Sequence, residues 1–233
     1  MYILLPPSEG KSPVPGKNSF RAQFPDFVND VQVVIDMLAG LSLPEQRALY
    51  GLKSEEKAAE AHAQNLGALD APCLPAISRY TGVVYDHLDY DTLSSKATAR
   101  KRILIVSALF GLIEGGAPLP AYKLSMTPWL SKYWMPRNSD RLLAVAGGKP
   151  VLNLLSQTYA RALDYPALVT VDFRVGDGQK AAGHFGKAIK GRFVRWILEN
   201  KVKKVRDFAN FTEDGYRFDG ENFVQAARPA SKA

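Results

Sequence analysis

The sequence is short of metal and redox ligands. Its 233 residues contain one cysteine, Cys73, which excludes an intramolecular disulfide and leaves no thiolate cluster for zinc or iron–sulfur ligation. Cys73 reads as a small buried apolar residue. Histidine is scarce as well: His62, His87 and His184 stand apart with no H-x-x-x-H spacing, so a metal site lacks support and no cofactor is called for. Asp86, Asp89 and Asp91 around His87 do not match calcium-loop spacing and read as an exposed acidic turn. No run approaches the roughly 18 to 20 apolar residues of a membrane helix, and Tyr2 to Leu5 is too short for the core of a signal peptide. The expectation is a cytoplasmic protein with no membrane partner. Internal repeats, low-complexity tracts and heptads are also missing.

What is present is material for a core: 46% hydrophobic and 23% charged residues fit an ordered globular chain. One domain over 1–225 is expected, with 226–233 as a frayed tail. Tyr2 to Leu5 reads as a buried strand stopped by Pro6 and Pro7. Phe27, Val28, Val31, Val34, Ile35 and Leu38 fall at helical spacing, with Gly40 as a stop. Further helices are expected from Pro44 to Leu52 and from Ser54 to Asn65. The β-branched run Ile103 to Leu109, ended by Gly111, predicts a strand buried on both faces. Pro150 to Leu155 and Ala167 to Phe173 are two more candidates, with a helix from Ser156 to Leu163 between them. The fold class is therefore mixed α and β, a buried sheet flanked by helices.

Charge is unevenly spread. Between Arg174 and Arg206 ten Lys or Arg face two acids, Asp177 and Glu199, a local charge of +8 in a chain of net charge +7. Such concentration is the footprint of a polyanion partner, although a solvated basic face has the same composition. The run from His184 to Asn200, wound at about 100° per residue, puts Ile189, Phe193, Trp196 and Ile197 on one arc and Lys187, Lys190, Arg192 and Arg195 on the rest. The helix is expected to be pinned by the first arc and to show cations on the second.

Individual motifs carry less. Gly10-Lys11-Ser12 ends like a Walker loop, but the required first glycine position is Leu5, so a triphosphatase reading fails. What survives is a lysine on a proline-preceded loop at a strand end, where open α/β sheets place ligand-contacting groups. Ser107 ends a strand as a hydrolase nucleophile does, yet Ile105 stands where the elbow needs glycine, and Ser107 reads as a backbone hydrogen-bonding residue. His184 is open to phosphate contact or proton transfer.

Seven segments in order resemble the YaaA family of peroxide stress proteins: Pro6-Pro-Ser-Glu-Gly-Lys11, Gly82-Val-Val-Tyr85, Ser107-Ala-Leu-Phe-Gly111, Pro120-Ala-Tyr-Lys-Leu-Ser-Met126, Asn153-Leu-Leu-Ser-Gln-Thr-Tyr159, Lys187-Ala-Ile-Lys-Gly191 and Gly215-Tyr-Arg-Phe218. The resemblance implies a cytosolic protein of peroxide defence, limiting damage linked to free iron, with a positively charged cleft that binds DNA. Two positions depart from the family pattern, Glu114 in place of a basic residue and Ser125 in place of a glutamate. The residues expected to meet DNA or another anion are Lys11, Tyr122, Lys123, Lys187, Lys190, Arg192 and Arg195. Ser8, Tyr85, Ser107, Asn153, Ser156, Tyr159 and His184 are further cleft-lining candidates, and no catalytic set is assigned. No base-reading motif accompanies the cations, so DNA binding of low sequence specificity is expected. An enzyme acting on a nucleotide-like or phosphorylated small anion in the same cleft is the alternative.

Overall fold

The computed structural model describes residues 1–175, 178–181 and 183–225; the expected tail, 226–233, lies outside them. From the amino terminus the chain forms β1 (Tyr2–Leu5), α1 (Phe20–Gln23), α2 (Val28–Ala39), α3 (Leu43–Tyr50), α4 (Glu55–Leu66), β2 (Leu74–Pro75), α5 (Ala76–Arg79) and α6 (Val83–Leu88). It continues with α7 (Lys96–Arg102), β3 (Ile103–Ser107), β4 (Gly111–Glu114), β5 (Pro118–Leu119), α8 (Pro128–Ala146), β6 (Val151–Asn153), α9 (Gln157–Ala160) and β7 (Leu168–Thr170). The last elements are β8 (Phe173–Arg174), α10 (Gly183–Glu199), β9 (Tyr216–Phe218) and β10 (Phe223–Gln225). The fold is mixed α/β, as the patterning predicted.

Strand order in the main sheet is β4-β3-β1-β6-β7, with β1 central. It runs parallel to β3, pairing Ile3 with Ile103, and parallel to β6, pairing Tyr2 with Val151. Ile3, Leu4, Leu5 and all five residues of β3 are buried, which is why these strands read as continuous apolar runs rather than alternating ones. Each fully buried side chain of this size contributes about 1.5 to 3 kcal/mol.

Two strands are shorter than their apolar runs. The chain leaves β3 at Ser107, whose Oγ accepts hydrogen bonds from the N–H groups of Leu109 (3.2 Å) and Phe110 (3.0 Å), and Gly111 turns it back into antiparallel β4. Gly111 has φ of 63° and no room for a side chain, since a Cβ would lie 2.6 Å from the Trp134 ring. The run Ala167 to Phe173 breaks after Thr170: β7 stays in the main sheet, while Phe173 joins the separate sheet β8-β10-β9. There its ring stacks on Phe223 at 4.9 Å and meets Phe193 and Tyr216 edge-on. Aromatic packing outweighs strand continuity at that point.

Helices show similar differences. Ser54 caps α4 through the Lys57 N–H, and Ser42 with Glu45 forms a full capping box on α3. The helix expected from Ser156 to Leu163 is only the single turn α9, and the Ser156 side chain makes no capping bond. In contrast, α8 spans nineteen residues over which no helix was expected, although Thr127 caps it, Pro128 stands in its first turn and Gly147 ends it with φ of 59°. Pro136 interrupts the pattern, but it lies on the exposed side of the helix. The opposite stripe, Leu130, Trp134, Asn138, Leu142 and Ala146, is buried at spacing four.

The basic helix, α10, seats Ile189, Phe193, Val194 and Ile197 in the core. Trp196, expected there too, is half-buried and leans on Phe211 at 5.5 Å. Its place is taken by Val194 and Leu198, because α10 lies tightly on α6. A Cβ at Gly191 would stand 2.3 Å from the Val84 carbonyl oxygen.

Candidate functional site

A cleft of about 410 Å³ opens at the carboxyl ends of β1 and β6. From β1 the chain crosses to β3 on one side, whereas β6 joins on the other. The crevice is therefore the reversal point of strand order, where open α/β sheets collect ligands. Its walls are the loop Pro6 to Gly10, the segment Thr81 to Tyr85, Leu154 and Ser156, and the start of α10 with Gly183, Gly186, Lys187 and Lys190.

Close packing fixes these walls. The Tyr85 hydroxyl donates to the Pro6 carbonyl at 2.8 Å. Gly10 accepts from the Ser8 hydroxyl (2.6 Å) and from the Thr81 N–H (3.1 Å), and a Cβ on it would lie 2.7 Å from Thr81 Oγ1. Gly82, with φ of 105°, starts α6. Lys190 is half-buried and donates to the Leu154 carbonyl at 3.3 Å; burial pulls its pKa down, and Asp172 partly opposes that. Lys187 is exposed on the cleft wall and has no carboxylate partner among the described residues.

Lys11 lies on the same loop but turns its amine onto aromatic rings, 4.2 Å from the Tyr122 centroid and 5.5 Å from that of Tyr80. Its hydrogen bonds to the carbonyls of Ser8 and Glu9 are long, 3.2 and 3.3 Å. Burial and then the charge of Lys123 lower its pKa to about 8, with Glu9 acting the other way. An ammonium over a tyrosine ring gains about 0.5 to 2 kcal/mol. The shift from 10.5 corresponds to roughly 3 kcal/mol, so desolvation prevails. Beneath the amine, the Tyr122 hydroxyl meets the Ser107 hydroxyl at 2.9 Å and the Tyr80 hydroxyl at 2.7 Å. Burial raises the pKa of both tyrosines and keeps them neutral.

The remaining candidates occupy several places. Lys123 pairs with Glu9 at 2.7 Å, and its backbone N–H and carbonyl are both held by Asn65. Asn153 is buried and structural, donating to Thr170 Oγ1 and accepting from the Leu155 N–H. Ser156 is exposed on the cleft wall. Tyr159 is half-buried, its pKa raised by burial against a hydrogen bond to the Met126 backbone. His184 is exposed at the start of α10, outside the lining of the cleft. Ser107 is the backbone-binding residue the sequence predicted, and Cys73 is buried with its thiol pushed up to about 11, which makes it inert.

The basic segment does not form one face. Lys187 and Lys190 belong to the cleft. Arg192 is ion-paired with Glu213 (2.8 Å) and with Asp214. Arg195 pairs with Asp89 and Glu199 and donates to the Leu88 and Asp89 carbonyls. Beyond α10, Lys203 stands near the Met1 amine with Arg102 and Lys149; after burial, these three charges lower the amine's pKa. That cluster lies at the amino ends of the strands, across the sheet from the cleft. Sequence reasoning also passed over Tyr80 and the glycines at 186 and 191. Two glycines within a helical run are the signal of close approach that could have found the latter.

These features define a mixed α/β protein with a lysine-bearing cleft at the carboxyl edge of its parallel strands. Residues 1–222 match the family described as peroxide stress protein YaaA, and the chain belongs to that family. It is 35% identical to a UPF0246 protein of Corynebacterium efficiens, over 84% of each chain. A UPF0246 protein of Corynebacterium glutamicum is also 35% identical, over 88% of each. A third, from Francisella tularensis subsp. tularensis, is 27% identical over 94% of this chain and 95% of its own.

Proposed function

We propose that the protein binds DNA with little sequence preference, its phosphates held at the cleft by Lys187 and Lys190. The observation that carries this reading is the uneven pairing of charge along α10. Arg192 and Arg195 are neutralised by carboxylates of the same chain, whereas the two lysines on the concave side form no ion pair among the described residues. Cations left uncompensated at a strand-end crevice suit an external anion. In this role the protein shields DNA in the cytosol from oxidative damage linked to free iron during peroxide stress.

Fluorescence-anisotropy titration of an oligonucleotide between 50 and 200 mM salt tests the proposal. With Lys187 and Lys190 engaged, affinity falls about twelvefold over that range, and the double variant Lys187→Ala/Lys190→Ala reduces the magnitude of the slope by about 2, leaving little salt dependence. An unchanged slope in a variant that melts like wild type overturns the assignment. A second reading, a small phosphorylated ligand turned over or held in the same cleft, is favoured by its volume of about 410 Å³, which lies within the range of small-molecule pockets. Stabilisation by a mononucleotide without any binding of oligonucleotides selects that reading.

A further inference from the structure

We propose that Lys11 is a reactive amine that forms an imine with a small aldehyde or ketone bearing an anionic group. Three observations place it there. Its amine is packed on the Tyr122 face at 4.2 Å and near the Tyr80 ring at 5.5 Å, where burial outweighs what the rings give the ammonium form. Its nearest charges are predominantly like ones, Lys123 and Arg79, against the single carboxylate of Glu9, and Glu9 is itself engaged by Lys123. Its oxygen contacts are two long bonds to carbonyls, and the one to Glu9 lies at the surface, so a ligand reaches the amine without unfolding the loop.

Desolvation beside another cation is the general way a protein frees a lysine for carbonyl chemistry near neutral pH. Burial and Lys123 act in that direction here. Lys190 is the instructive contrast: it is also buried, but Asp172 favours its charged form. In the step itself the neutral Lys11 nitrogen adds to the carbonyl carbon. Both amine hydrogens then leave with the carbonyl oxygen as water, giving a C=N bond with no oxidant or reductant. The anionic group of the ligand meets Lys123, which is half-buried and already binds one exposed carboxylate. Phosphate and carboxylate satisfy that partner equally in chemistry. The inference does not depend on DNA binding, because neither Lys187 nor Lys190 takes part.

The full-length protein is incubated at pH 7 with pyridoxal 5′-phosphate, glyoxylate or acetaldehyde in parallel, with cyanoborohydride to reduce any imine to a stable amine. Labelled peptides are then quantified by mass spectrometry. Lys11 is expected to label at least about tenfold faster than exposed lysines such as Lys57, with one or both anionic aldehydes and not with acetaldehyde. Which of the two labels faster identifies the phosphate or the carboxylate as the matching anion. Lys123→Ala should remove the preference for anionic aldehydes and slow the adduct without abolishing it, since burial still lowers the Lys11 pKa. Labelling of Lys11 no faster than Lys57, or equally fast with acetaldehyde, overturns the proposal, and the DNA titration is unaffected by either result.

Discussion

Gly191→Ala puts the seating of α10 to a test. An alanine Cβ at this position would stand 2.3 Å from the Val84 carbonyl oxygen, 2.8 Å from His87 Cβ and 3.1 Å from the Leu88 nitrogen. Two of the three obstacles are backbone, so no rotamer change relieves them, and α10 must back away from α6 by about 1 Å to reach ordinary contact distances. Overpacking of this kind costs up to about 3 kcal/mol or slightly more. Removing a glycine from a helix interior returns at most about 1 kcal/mol, which leaves a net loss of about 2 kcal/mol. Urea denaturation should show a lower midpoint with an unchanged slope. The displaced helix should also draw Lys190 away from the Leu154 carbonyl and weaken the salt dependence of DNA binding. Gly67→Ala is the control: φ is −85° and the nearest atom to a Cβ is 3.5 Å away, so stability should change by less than about 1 kcal/mol. A Gly191→Ala protein as stable as wild type would refute the reasoning.

Lys11→Met should alter how stability depends on pH. The folded-state pKa of about 8 lies below the ordinary 10.5, so the unfolded chain holds more protons between those values and wild type gains stability as pH rises through that window. The variant lacks this gain. The difference in unfolding free energy between the two proteins should therefore move by about 1 to 3 kcal/mol in favour of wild type from pH 8 to 10.5, discounted for the solvent that reaches the amine. A constant difference across the window contradicts the desolvated amine. Asn138→Ala strands the Leu112 N–H and the Ala162 carbonyl, now bonded at 2.7 and 2.8 Å in a buried setting. Thermal and urea unfolding should register a loss of about 2 to 5 kcal/mol, and a loss below 1 kcal/mol would show that water replaces the amide.

Much of the fold is legible in the residue string. Tyr2 to Leu5 and Ile103 to Ser107 are apolar and β-branched without alternation, and only strands buried on both faces need such runs. The helices α2, α3 and α4 carry their spacing and stop or cap signals locally, and the seven family segments marked the loop of Lys11 and the helix of Lys187 and Lys190. Other elements escaped for physical reasons. The long helix α8 has a Thr127 cap and a terminal Gly147, but its buried stripe contains Asn138 and its middle holds Pro136, turned toward solvent, and these two mask the apolar period. The run Ala167 to Phe173 is one strand by pattern and two by packing, because the partners of Phe173, among them Phe193 and Phe223, come from distant parts of the chain.

The site divides along the same line. Sequence alone determined that positive charge concentrates between Arg174 and Arg206 and that a lysine follows the first strand, since both are properties of the residue string. Which cations remain uncompensated was decided only in three dimensions, where the acids Glu213, Asp214, Asp89 and Glu199 fold back onto Arg192 and Arg195 and leave Lys187 and Lys190 at the crevice. The same holds for Lys11: its low pKa arises from burial, among residues that include Tyr80 and Tyr122, and from the charge of Lys123, all brought to it from 69 to 112 positions away. Electrostatic partners are set by distance through space, and a local pattern carries no record of it.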